Sequence, residues 1–268
     1  MEKTNNMEKK HENIQEKEKN RTSPWGRRRS WRCSYRGVKS NRRVQHPISY
    51  IAGTSIGAII SAFYAFGKNW EEMAILLKGL NWLDISRISL SQFGLLSNKK
   101  LGKLITDNLG DVTFDEACIP LAMIATDITS GEKVALKNGN VAAAVMASSC
   151  IPGIFIPVEI DNRLLVDGEL VENVPITPLK DMGANFIISV DLFGKLKQKK
   201  PENIIEVLFK SFHIALETAT KLQTEESDIL IRPDLSPFNT FDISKAENII
   251  EIGYLEAKRM LGENKVVH

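Results

Sequence analysis

The run "ISYIAGTSIGAIISAFYAFG", residues 48–67, places a serine between two glycines, with an apolar stretch before it and a longer apolar stretch after it. The first stretch reads as a short strand and the second as a helix that Gly67 closes. A strand that turns sharply into a helix at Gly-x-Ser-x-Gly is the pattern of a nucleophile elbow. The turn holds the serine in a strained conformation, and the flanking glycines remove Cβ atoms that would clash. The hydroxyl is then presented at a helix N-terminus, where the dipole and the free N–H groups favour an oxyanion. On this reading Gly53, Thr54, Ile56 and Gly57 form the elbow and Ser55 is the candidate nucleophile. The competing reading is that Ser55 caps the helix, since serine is a good N-cap and small residues are common in such turns.

From Ile48 onward strand and helix alternate. "NWEEMAILLKGL" reads as a helix, "IPLAMIATDI" and "EKVALKNG" as strands, "VAAAVMASS" as a short helix and "RLLVDG" as a strand entering a turn. "ANFIISVDL" reads as a buried strand, "PENIIEVLFKSFHIALETATKLQ" as a helix, "SDILIRP" as a strand and "KAENIIEIGYLEAKRML" as an amphipathic final helix. Near-continuous apolar strands separated by helices predict an α/β fold whose mostly parallel sheet is covered by helices on both faces. Residues 1–47 carry no sustained period and are read as an irregular segment, followed by one domain over 48–262 and a tail over 263–268. No internal repeat is visible.

The composition, 43% hydrophobic and 25% charged over 268 residues, is that of a globular chain able to bury a sizeable core. No apolar run reaches the roughly 18 to 20 residues of a membrane span, and the polar start lacks the apolar core of a signal peptide, so a cytoplasmic location is expected. Cys33, Cys118 and Cys150 are widely spaced and have no histidines near them in ligand spacing. They are read as buried thiols, with neither a disulfide framework nor a metal site. Of the 35 Lys/Arg and 33 Asp/Glu, residues 1–47 hold 14 and 5, and the remainder holds 21 and 28. The basic character belongs to the first segment and the body is mildly acidic.

A serine nucleophile needs a base. His11 and His46 lie in the irregular segment and His268 is the last residue, which leaves His213, inside a helical run. A half-buried or solvent-facing helix histidine explains it as well, so a Ser-His-Asp triad has little support. Among carboxylates, Asp167 follows a strand and precedes Gly168, a tight turn at a strand end where catalytic groups of α/β folds sit. Asp-Gly is also an ordinary turn dipeptide. Asp127 and Asp191 are read as strand-end or capping groups.

"GTSIGAIISAFYA", "MASSCIPGIFIPV", "LLVDGELVENVPITPLKDMGANFIISVDL" and "DILIRPDLSPFNTFDISKAENIIEIGY" occur in the order and spacing of the patatin-like phospholipases, and the chain resembles the bacterial branch of that family over residues 48 to about 262. The resemblance implies a three-layer α/β fold and a Ser-Asp dyad that hydrolyses acyl esters of phospholipids or lysophospholipids without histidine, metal or organic cofactor. Ser55 matches the nucleophile and Asp167 the base. Glu169, after Asp167-Gly168, departs from the Gly or Ala usual in that third place. A lipid or acyl-ester partner is expected and a nucleic acid is not. The resemblance leaves oligomeric state open.

The family's glycine-rich oxyanion loop belongs ahead of the nucleophile strand, where this chain has "PWGRRRSWRCSYRGVK". Reverse translation read one nucleotide later permits "LGGGGARGAAHIGVL" residue for residue: Trp25 forces a Gly, Trp31 followed by Arg32 forces another, and Cys33, Tyr35 and Val38 permit the Ala, Ile and Leu required. The segment therefore reads as out of frame, entering before about Trp25 and leaving near Pro47. Its rival is a basic arm with interleaved aromatics (Trp25, Trp31, Tyr35) for nucleic acid or anionic lipid. Either way the oxyanion donors of the loop are missing, which gives the alternative of a catalytically impaired member acting as a binding or regulatory module. A third reading is an esterase using His213. "LNWLDISRISLSQFGLLSNKKL", residues 80–101, sits where the family carries a lid-like insertion; it reads either as an acyl-chain and peripheral membrane contact or as an amphipathic element packed on the core.

Overall fold

The computed structural model of the chain describes residues 48–78, 87–91, 94–193, 200–201, 204–238 and 245–263. The irregular, out-of-frame reading of residues 1–47 and its rivals lie outside the described residues. The centre of the molecule is β4 (Leu121–Asp127), buried along its whole length. Its sequence, LAMIATD, is apolar on both faces, as a strand covered from both sides must be.

Three strands use the two edges of β4. β1 (Ile51–Gly53) runs parallel to it, with Gly53 opposite Met123. β5 (Lys133–Leu136) runs antiparallel, with Leu136 also opposite Met123 and Val134 opposite Ala125. β7 (Arg163–Asp167) runs antiparallel, with Asp167 opposite Ala125. A residue has only two edges, so β1 and β7 both lie on the edge that β5 leaves free. They approach each other end to end along it, and β6 (Val158–Ile160) completes the sheet by pairing with β7. The class is α/β, as read from the sequence, and among the described strands the sheet is mixed. The reason is local: β5 and β6 are joined to their partners by short turns, which permit only antiparallel pairing.

Helix α1 (Ile56–Ala65) is built of small and apolar residues and buries Ala58, Ile59, Ala62 and Phe63 against the sheet. It ends at Phe66, and Gly67 takes up the left-handed φ of 84° that reverses the chain. α2 (Trp70–Lys78) follows, with Glu71 and Glu72 in its first turn complementing the dipole. β2 (Arg87–Ser91) and β3 (Gly94–Ser97) form an antiparallel hairpin. α3 (Lys99–Leu109) turns Leu101 and Ile105 inward against α4 (Val141–Ser148). The two helices meet closely at Gly102, where a Cβ would lie 2.3 Å from Met146 Sδ. α4 is apolar on every side, is capped by the Asn140 side chain accepting from Ala143 N–H, and packs on α1 and β4.

α5 (Thr177–Asp181) contacts β1, and α6 (Ile204–Thr224) contacts the turn after β7. β8 (Ile188–Val190) and β9 (Ile229–Ile231) pair in parallel, and α7 (Ala246–Glu263) packs on β9. The expectation of a strand buried throughout "ANFIISVDL" is corrected. Ser189 is buried, but Ile188 and Val190, which share the opposite face of β8, are 45% and 52% exposed, so only one face of the strand is covered. The reading of buried thiols holds for Cys150 and fails for Cys118, which is exposed on the loop before β4; Cys33 lies outside the described residues. Part of the 80–101 segment, residues 80–86 and 92–93, also lies outside them. Leu96 is tied to the core: its N–H donates to Ile154 O at 2.9 Å, Ile156 N–H donates to Leu96 O at 2.9 Å, and its side chain packs on Cys150 and Phe155.

Candidate active site

The opposed ends of β1 and β7 bring together residues 112 positions apart. One residue of β4, Ile124, separates Met123, the partner of Gly53, from Ala125, the partner of Asp167, a step of about 7 Å at strand spacing. Ser55 lies just past the end of β1, and Asp167 is the last residue of β7. Ser55 Oγ donates to Asp167 Oδ2 at 2.7 Å.

Ser55 occupies the N-cap position of α1, yet its side chain makes no cap hydrogen bond. The hydroxyl is turned to the carboxylate instead, which separates this serine from an ordinary cap. Its backbone is strained, with φ 54° and ψ −120°, a region costly for a residue with a Cβ. The chain can make this turn because Gly53 has no side chain: a Cβ there would stand 2.1 Å from Gly57 O and 2.5 Å from Ser61 Oγ. The expectation that the second glycine also avoids a clash is corrected, as a Cβ on Gly57 would meet nothing within 4 Å. What matters at Gly57 is its carbonyl, which fills the space Gly53 leaves. Ile56 is the first residue of α1, and its N–H has no intrahelical acceptor. Thr54 is buried, and its hydroxyl donates to Glu172 O at 2.8 Å.

Asp167 is held on every side. Its N–H donates to Cys150 O at 2.8 Å, its carbonyl accepts from Thr126 Oγ1 at 2.9 Å, and its Oδ1 accepts from Glu169 N–H at 2.9 Å. Gly168 permits this last turn, since a Cβ would lie 2.2 Å from Ile124 O. Burial, at 3% exposure, pushes the Asp167 carboxyl up to about 7 against the pull of the Glu169 N–H and Ser55 hydroxyl bonds. Burial first, and the nearby Asp167 charge second, push Glu169 up to about 8. Near neutral pH Asp167 is thus poised between its two forms, and Glu169 is the more strongly protonated of the two.

Three groups that the sequence reading did not single out complete the surroundings. Ser55 N–H donates to Ser148 Oγ at 3.1 Å, and Ser149 Oγ donates to Ser55 O at 3.1 Å. Glu172, 2% exposed, accepts from Lys133 Nζ at 3.0 Å, from Thr177 N–H at 2.8 Å and from Thr177 Oγ1 at 2.6 Å. The available signal for the serines was two adjacent hydroxyls at the end of an all-apolar helix. The other carboxylates behave as structural groups. Asp127 accepts from Thr129 N–H at 2.9 Å in a turn, and Asp191 accepts from Phe193 N–H at 3.0 Å and pairs with Arg232 Nε at 2.9 Å. His213 falls within α6 and its side chain is outside the described residues. Among the described residues no group of His, Cys, Asp or Glu forms a metal site, and no helix is long and apolar enough to cross a membrane.

The model of the patatin-like phospholipase family matches residues 31–180. The chain belongs to the patatin-like phospholipase family. An uncharacterized NTE family protein of Mycobacterium tuberculosis is 34% identical over 160 residues, covering 59% of this chain and 44% of that protein. Neuropathy target esterase sws of Drosophila melanogaster is 28% identical over 165 residues, 58% of this chain and 11% of that protein. Patatin-like phospholipase domain-containing protein 6 of Mus musculus is 25% identical over 272 residues, 86% of this chain and 20% of that protein. The chain spans less than half the length of these curated relatives. The family match includes Ser55 and Asp167 and begins ahead of the Ile48 boundary drawn from the residues.

Proposed function

We propose that this chain hydrolyses the acyl esters of phospholipids or lysophospholipids, with Ser55 as nucleophile and Asp167 as its base. The reading rests on one observation above the rest, the 2.7 Å hydrogen bond from the hydroxyl of a strained elbow serine to a buried carboxylate. Family membership supports it, and so do relatives whose names include "phospholipase" and "esterase".

Asp167 Oδ2 accepts the Ser55 proton as Oγ attacks the ester carbonyl, and returns it to the departing alcohol. An acyl-enzyme is left on Ser55. Water then attacks that acyl group with Asp167 again taking the proton, which frees the fatty acid and restores the hydroxyl. Burial raises the basicity of Asp167 so that it competes for a proton near neutral pH, and the N-terminus of α1 favours the charge that develops on the oxyanion. Neither a metal nor an organic cofactor is needed for these steps, and the base is a carboxylate, which makes His213 dispensable.

The oxyanion loop is the weak joint of this scheme. Losing even one donor costs about 10² to 10³ in rate. An impaired member that binds without turnover is therefore the second reading, and residues 25–39 decide between the two. Hydrolysis of a chromogenic short-chain ester is to be compared in this chain, in Ser55→Ala and in a chain whose residues 25–39 are replaced by the shifted-frame glycine-rich sequence. Activity in the parent that Ser55→Ala abolishes supports the dyad in the chain as it stands. Activity only in the restored chain assigns the chemistry to the fold and makes residues 25–39 a lesion. Activity that survives Ser55→Ala refutes the nucleophile.

A further inference from the structure

We propose that Ser148-Ser149-Cys150 is a positioning clamp that sets the attack geometry of Ser55 on Asp167 by holding both residues through their backbones. The inference rests on the reading of Ser55 and Asp167 as the reacting pair. Three consecutive residues make three contacts. Ser148 Oγ accepts from Ser55 N–H, Ser149 Oγ donates to Ser55 O, and Cys150 O accepts from Asp167 N–H. The two peptide groups of the strained serine are thereby fixed on either side of its Cα, and the third contact registers the base against the same frame.

The frame itself is rigid. Ser148 ends α4 and Ser149 is its C-cap, and their neighbours Val145 and Ala147 are fully buried. Ser149 N–H donates to Val145 O at 3.0 Å and Cys150 N–H to Ala147 O at 3.2 Å, so the tripeptide's own backbone is committed to the helix end. Cys150 Sγ donates to Ile156 O at 3.2 Å, tying the far end of the clamp to the next segment. Ser148 and Ser149 are both 0% exposed at the end of a helix whose other residues are Val, Ala and Met. Buried hydroxyls in such a place need partners, and both hydroxyls find theirs in the peptide groups of one residue, Ser55. Alanines would pack the same helix end without holding that residue. An alignment error of about 1 Å at a nucleophile costs about 10²-fold in rate, so a device of this kind has something to protect.

The test compares the full-length chain with Ser148→Ala, Ser149→Ala and Ser55→Ala by three readouts: the rate of covalent labelling by a fluorophosphonate probe, the urea unfolding midpoint, and the exchange rate of the Ser55 amide by NMR. A clamp predicts labelling about 10-fold slower in each clamp variant at temperatures where parent and variant are fully folded, and at least about five-fold faster exchange of the Ser55 amide in Ser148→Ala, the equivalent of one lost hydrogen bond. A structural role alone lowers the unfolding midpoint but leaves labelling of the folded protein and the Ser55 amide within about two-fold of the parent, and that result overturns the clamp. Should either alanine variant fail to fold, Ser148→Cys or Ser149→Cys replaces it, keeping the shape while weakening the bond. Failure of the underlying reading looks different. If the parent does not label, the comparison is made in the chain with restored residues 25–39; a Ser55→Ala chain that labels as fast as its own parent removes Ser55 as nucleophile, and the exchange of the Ser55 amide still decides whether Ser148 holds it.

Discussion

Replacing Asp167 with Asn should make the protein inactive and, at alkaline pH, more stable. The carboxyl is 3% exposed and its proton affinity is raised from 3.8 to about 7 by burial. At about 1.36 kcal/mol per pH unit, keeping it ionised in the folded chain costs about 4 kcal/mol. The sign follows from comparing the two states. Below pH 3.8 the group is protonated both folded and unfolded, and no cost arises. Between 3.8 and about 7 the unfolded chain releases its proton while the folded chain keeps it, so stability falls as pH rises; above about 7 the loss is constant. An asparagine has the same shape, can accept from Glu169 N–H and can donate to Ser55 Oγ, so no buried polar atom is stranded. Urea unfolding of parent and variant at about pH 5 and about pH 8.5 measures the difference. From the same two proton affinities the advantage of Asn should grow by about 3 kcal/mol between those values. Removing the Asp167 charge also relaxes Glu169, which acts in the same direction. Identical pH dependence in the two proteins would refute the claim that Asp167 is a desolvated carboxylate.

The same protonation should govern the rate. kcat/KM for ester hydrolysis is expected to rise with pH and reach half its maximum near pH about 7, and a half-maximum near about 4 would show a solvated base. Gly53→Ala should cost about 3 kcal/mol and lower Tm by about 10 °C, because its Cβ would stand 2.1 Å from a backbone carbonyl that has no rotamer to escape into. Calorimetry giving a Tm within about 2 °C of the parent would mean the elbow is looser than described. Glu172→Ala should destabilise by about 2 kcal/mol, since it strands the Thr177 N–H and leaves half-exposed Lys133 to water, whereas Glu172→Gln should lose less. Equal losses in urea unfolding would show that the charge of Glu172, rather than its hydrogen bonds, holds the site.

The elements most legible in the sequence were those whose burial is settled locally. "SIGAIISAFYAFG" and "VAAAVMASS" are too apolar to be anything but core helices, and "LAMIATD" is long enough and apolar enough on both faces to be the central strand. The elbow was legible because Gly-x-Ser-x-Gly joins a strand to a helix, and Asp167 because it lies in a turn at a strand end. What could not be read was partnership at long range. Nothing in "MASSCIPG" says that its two hydroxyls face a serine 93 and 94 positions away, and nothing in "ANFIISVDL" says that alternate residues will be uncovered. Gly57 was misjudged for a related reason: its role depends on where its carbonyl falls in relation to Gly53, which is a matter of packing.

The geometry of the pair comes from topology more than from either motif. β1 and β7 share one edge of β4 and run toward each other, so their last residues must meet at the same point of that strand. A parallel β7 would carry Asp167 away from Ser55 by the length of the strand, about 17 Å over five residues. With a hairpin feeding β7 in from the opposite direction, the turn after each strand opens onto the same short gap, and one turn delivers the Ser55 hydroxyl while the other delivers the Asp167 carboxylate. The antiparallel strand in this α/β pattern is therefore what lets the Ser55 hydroxyl and the Asp167 carboxylate meet between two loops, with the strand ends supplying the alignment that the proposed dyad requires.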